Sequence, residues 1–127
     1  MLARIVRIAL MLGLLIDGAV GILALFFPSL MGPLLDVPAL DPAAMAIAGG
    51  EFIVVALVYL LVLRDIERFR PLLWVLALDQ AFAAILTAVE IALGHVPGTW
   101  KTIGPLPLSL ALALIYVAGA RARNPRT

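Results

Sequence analysis

The sequence predicts an all-α integral membrane protein, a four-transmembrane-helix bundle with both termini in the cytoplasm. Three observations predict it. The first is composition: 65% of the 127 residues are hydrophobic and 13% are charged, with a mean hydropathy of +1.17, whereas soluble domains run at about 45–50% apolar and about 25% charged. The second is a set of four apolar runs near the roughly 20 residues that a helix needs to cross a bilayer core about 30 Å thick. The third is the segregation of the arginines to alternate ends of those runs. A disordered chain is excluded, because disorder requires low hydrophobicity and high net charge and the net charge here is +1. The length fits a single membrane domain over 1–127. With no cysteine, disulfide frameworks, thiolate metal sites and cysteine nucleophiles are ruled out.

The first span, 8–27, ends at Pro28. Its length and the absence of a small-residue cleavage site favour a retained helix over a cleaved signal segment. The stretch from Pro28 to Pro42 reads as an apolar, proline-punctuated loop lying in the interface, with Asp41-Pro42 as the N-terminus of the second span, 43–63. Arg64 to Arg70 is a tight turn whose Asp65 and Glu67 are neutralised among three arginines. The third span, 72–93, is closed by Gly94, and the fourth, 105–121, begins at Pro105 and Pro107, which a first helical turn tolerates because its amides lack intrahelical acceptors. Trp100 at one end, with Trp74 and Tyr116 at the other, occupy positions expected of interfacial aromatic anchors. Gly-Pro-Leu recurs at Gly32 and Gly104, hinting at two related hairpins.

Orientation follows from the basic residues, which concentrate in cytoplasmic segments. Arg4, Arg7, Arg64, Arg68, Arg70, Arg121, Arg123 and Arg126 all fall on one side, and only Lys101 and His95 on the other.

Four of the eight acids lie inside the spans: Asp17, Glu51, Asp79 and Glu90. A carboxylate at a helix centre costs about 2.5–3.5 kcal/mol on insertion scales, so such groups face the bundle interior and mark a functional site. No base lies within a span to compensate them, and each is expected to be protonated, hydrogen-bonded, hydrated or matched by a ligand. Asp17, Glu51 and Asp79 form the expected site, with Glu90 as a further rung toward the outer surface and Gln80, Tyr59, Thr87, Ser109 and Tyr116 as neutral partners. Ala9, Gly13, Asp17 and Gly21 recur every four residues, a small-residue stripe that admits a neighbouring helix; Ala44, Ala48, Glu51 and Val55 form the comparable face of the second span.

The same residues exclude several chemistries. His95 is the only histidine and lies outside the spans, so a hydrolase triad has no base, and haem, di-iron or other metal centres lack ligands. Gly49-Gly50 has no phosphate-loop context, and the basic residues form no nucleic-acid footprint. No cofactor is expected. The leading expectation is a binding or accessory protein whose acids hold a small hydrophobic amphiphile or dock a membrane partner, either another protein or a second copy. The alternative is a membrane-embedded acid-base enzyme, an isomerase, cyclase or epoxide-opening enzyme with Asp17, Glu51 and Asp79 as catalytic candidates. A third is a proton-coupled transporter, for which four short helices would need a dimer.

At Ala48-Gly49-Gly50-Glu51 the chain resembles the DoxX-like small four-helix membrane proteins of bacteria. The similarity covers mainly the first hairpin, from about Gly13 to Leu63, and the chain differs in having Phe26, Phe27 and Pro28 where a lysine often ends the first helix. The resemblance implies a bacterial inner-membrane accessory or redox-associated subunit, with Glu51 as the functional position carried over.

Overall fold

The structure, a computed structural model, describes residues 1–38 and 41–122, so Arg123 and Arg126 lie outside the described residues. Among the described residues the chain is helical and contains no strand: α1 (Leu2–Phe26), α2 (Pro28–Leu35), α3 (Pro42–Arg64), α4 (Leu72–Ala92), α5 (Trp100–Ile103) and α6 (Pro105–Arg121). α1, α3, α4 and the α5–α6 segment are each long and apolar enough to cross a membrane, which makes this a multi-pass membrane protein by length and composition. Their outward faces are apolar, with Leu15, Leu78, Phe82 and Leu114 exposed.

Each long helix starts and stops where its sequence gives a physical reason. α1 runs until Pro28 supplies no amide hydrogen to continue it. Asp41 caps α3, its Oδ2 accepting from the amides of Ala43 (3.0 Å) and Ala44 (3.1 Å), and Pro42 fills the first helical position. Gly94, at φ 76°, provides the left-handed residue that follows the end of α4. α1 begins well before the apolar stretch, at Leu2. Its 25 residues extend about 37 Å at about 1.5 Å per residue, so the turns bearing Arg4 and Arg7 reach beyond a hydrocarbon core about 30 Å thick.

Two short helices replace expected loop. α2 forms because Pro28 sits at its first position, where the missing amide is harmless, and Asp36 closes it in the left-handed conformation at φ 52°. α5 precedes α6 as Thr102 Oγ1 accepts from the Thr99 amide (2.9 Å) and donates to the Pro97 carbonyl (2.6 Å). Each half of the chain is thus a long helix, a short helix and a second long helix, but Gly-Pro-Leu lies inside α2 in the first and at the α5–α6 junction in the second.

Within the hairpins packing is dense: α1 lies along α3 and α4 along α6, while the two hairpins meet more sparsely through α1–α6 and α3–α4. Close approach in the first hairpin depends on glycine. A Cβ on Gly49 would stand 2.6 Å from the Leu25 amide nitrogen and 2.9 Å from the Gly21 carbonyl oxygen, and one on Gly21 would stand 3.0 Å from the Gly49 carbonyl. The core has two parts. The larger is built on Val6, Leu10, Tyr59, Val62, Leu73, Leu76 and Tyr116; the smaller, on Ala24, Met31 and Met45, fills the opposite end.

Side-chain ties hold both ends. At the arginine end, Arg70 bonds Glu67 and the Ala122 carbonyl, joining the α3–α4 turn to the end of α6. At the proline end, Thr99 Oγ1 donates to Asp36 Oδ2 (2.8 Å), and Lys101 Nζ reaches the Pro33 carbonyl (2.9 Å) and Asp36 Oδ1 (3.3 Å). The Thr99 hydroxyl, with help from Lys101, holds the Asp36 carboxyl below its ordinary value against the desolvation that opposes it.

Candidate functional site

The stripe of α1 is placed as its spacing implies: Ala9, Gly13, Asp17 and Gly21 are all buried. Asp17 is 5% exposed, and its Oδ2 has no hydrogen-bond partner among the described residues. That is the unusual feature of the interior, because buried polar groups are nearly always paired.

One turn toward the arginine end, Gly13 makes room for Tyr59 of α3, whose ring carbons would be 2.5 Å from a Cβ there. The Tyr59 hydroxyl accepts from Gln80 Nε2 of α4 at 3.0 Å and retains its own proton to donate. Tyr116 of α6 tilts against the Tyr59 ring, with centroids 5.9 Å apart and planes at 57°, a favourable aromatic geometry. Its hydroxyl donates to the Ala9 carbonyl at 2.8 Å. Asp79, next to Gln80 on α4, is half-buried; it lies within electrostatic reach of Asp17 and Tyr116, as Asp17 does of both tyrosines. All four long helices therefore contribute to one polar cluster: Asp17, Tyr59, Gln80, Asp79 and Tyr116. Among the described residues no cation enters it, since their bases lie in the terminal turns of helices or between them.

The expected ladder of four acids is not what the fold builds. Glu51 is exposed on the outer surface of α3, beside Ile47 and Val54, and does not join Asp17 and Asp79. The packed face of α3 is Met45, Gly49, Ala56, Tyr59 and Val62, offset from the expected Ala44, Ala48, Glu51 and Val55. Gly49 decides this, because the backbone of α1 can approach only where no Cβ stands in its path. Glu90 also departs from the expectation: its Oε2 pairs with His95 Nδ1 at 2.8 Å at the proline end, where His95 is exposed and Glu90 is partly exposed. Tyr116, read as an interfacial anchor, is 0% exposed. Trp100 at 80% exposure, and Trp74 with Arg121 5.5 Å over its ring, do lie at the surface.

Elsewhere, a cavity of about 650 Å³ at the proline end is lined by Pro28, Gly32, Pro33, Asp36, Met45 and Thr99 among others. The Asp36 carboxylate on its wall is committed to Thr99 and Lys101. Among the described residues no group of three or more His, Asp or Glu side chains is placed to hold a metal ion. No family model, no curated protein and no solved structure matches this chain, so nothing in these comparisons bears on the DoxX-like resemblance.

Proposed function

We propose that this protein is an accessory binding protein of the membrane, in which Asp17 receives a hydrogen-bond donor or cationic group from a hydrophobic amphiphile. The ligand enters where the two hairpins meet sparsely, near the half-buried Asp79. The observation that carries this reading is the unpartnered Asp17 Oδ2 in an interior without bases. An orphaned buried polar atom costs about 1–3 kcal/mol, a penalty that a ligand donor removes. Glu51, the position singled out by the DoxX-like resemblance, supports docking: a carboxyl near the middle of an apolar outward face is expensive in lipid and is relieved when a membrane partner covers it. The arginine distribution supports placing both termini in the cytoplasm; a bacterial inner membrane is what the DoxX-like resemblance implies.

A second reading, a membrane-embedded acid-base enzyme, is favoured by the unlike environments of Asp17 and Asp79, one enclosed and one half-exposed, since such a difference sets an acid apart from a base. Native mass spectrometry of the protein extracted from its own membrane tests the binding proposal. A retained small amphiphile is the expected result, and turnover of that molecule by the purified protein moves the assignment to the enzyme reading. A chain that emerges bare from every mild detergent contradicts both.

A further inference from the structure

At the arginine end a second cavity, of about 460 Å³, lies between the start of α1 and the end of α3, lined by Ala3, Arg4, Arg7, Arg64, Asp65, Ile66 and Glu67. Arg4, Arg7 and Arg64 make no side-chain hydrogen bond or ion pair among the described residues. The two acids on the wall are occupied elsewhere. Asp65 Oδ1 accepts from the Arg68 amide at 3.0 Å, and Glu67 is tied to Arg70. Three unpaired guanidiniums thus border one cavity, and each offers the planar fork that fits two oxygens of a phosphate.

The surface below the cavity is apolar. On α1, Ile8, Met11 and Leu15 follow Arg4 and Arg7 at the spacing of one helix face, and all are exposed. On α3, Leu57, Leu60 and Leu61 precede Arg64 by one to two turns and are also exposed. A phosphate with acyl chains satisfies both surfaces at once, while a soluble phosphate would use only the arginines. A zwitterionic head group would bring its ammonium against three guanidiniums. We infer that this cavity is a binding site for the phosphate of an anionic phospholipid, with the acyl chains laid along the outward faces of α1 and α3.

The test is native mass spectrometry of the full chain, delipidated in detergent and titrated with dioleoylphosphatidylglycerol or dioleoylphosphatidylcholine, with inorganic phosphate as competitor. The wild type is expected to retain phosphatidylglycerol in strong preference to phosphatidylcholine and to keep it in excess inorganic phosphate. Replacing all three arginines (R4Q, R7Q and R64Q) is expected to weaken retention about fivefold per residue, on the order of a hundredfold together. Arg121→Gln, outside the cavity, is expected to leave it unchanged. Equal retention of the two lipids, or displacement of phosphatidylglycerol by inorganic phosphate, overturns the proposal on the wild type alone, whatever the triple variant does to folding. Retention unaltered in a folded triple variant overturns it as well. Asp17→Asn is expected to leave the lipid adduct intact, which keeps this site distinguishable from the interior one.

Discussion

Adjacent glycines on α3 have opposite roles, and the difference can be measured. A Cβ on Gly49 would press on backbone atoms of Gly21, Ala24 and Leu25, which cannot yield as a flexible side chain would. Gly49→Ala is therefore expected to part α1 from α3 and destabilise the protein by about 1–3 kcal/mol, the usual range for overpacking. A Cβ on Gly50 meets nothing within 4 Å, so Gly50→Ala is expected to be neutral or to stabilise by about 0.5–1 kcal/mol through helix propensity. Reversible unfolding of the two variants in mixed micelles checks the contrast. Tyr59→Phe is expected to destabilise by about 1–3 kcal/mol by leaving the buried Gln80 amide without its acceptor. The α1 half of the site was legible in the sequence because glycine, alanine and aspartate share one stripe with no competing small-residue face. On α3 two small faces compete, Ala44–Ala48 and Gly49, and only the approach of the α1 backbone chooses between them. Tyr116 was ambiguous for a different reason, since an aromatic one turn from a helix end suits an interfacial belt or a core equally well.

At the scale of elements, the tie between α2 and the start of α5 is a titratable latch. Asp36 is held below its ordinary value of 3.8, first by the Thr99 hydroxyl and then by Lys101. A carboxyl depressed in the folded state contributes stability above its ordinary value and loses that contribution as pH falls through the lowered one. Acidification through that lowered value is thus expected to release α2 from the α5 segment, read as reduced amide protection, after correction for the intrinsic exchange rate, at Thr102, Ile103 and Gly104, whose amides bond back to Thr99 and Trp100. Asp36→Asn, which tolerates the left-handed φ but cannot titrate, is expected to show low protection that does not change with pH in the same range. The four long helices were legible from run length and from Pro28, Pro42, Gly94 and Pro105, which punctuate the chain by backbone chemistry alone. α2 was not, because its two prolines argue for a loop: Pro28 falls at a tolerated first position, but Pro33 lies inside the helix, and the latch that secures α2 joins residues far apart in the chain. The pairing of Glu90 with His95 was hidden similarly, by a turn after α4 that folds the histidine back onto the last helical turn.

For the whole molecule, two hairpins place the described bases toward the helix ends and, among the described residues, enclose one carboxyl oxygen without a partner. The proposed orientation expects a C-terminal reporter to be active only if it works in the cytoplasm; activity of a periplasm-dependent reporter there contradicts it. The central claim concerns Asp17, and the most direct measurement is the retained mass of the extracted protein compared among wild type, Asp17→Asn and Glu51→Gln. Asp17→Asn preserves shape while exchanging a carboxyl oxygen for an amide, and because Asp17 Oδ2 bonds nothing among the described residues the substitution is expected to change stability by less than about 1 kcal/mol. The expected result is that Asp17→Asn stays folded, keeps any phospholipid held at the arginine end and loses the amphiphile retained in the interior, while Glu51→Gln keeps both and alters only association with a membrane partner. A folded Asp17→Asn protein that retains the same non-phospholipid molecule in the same amount would contradict the account and leave Asp17 as a structural element of helix packing.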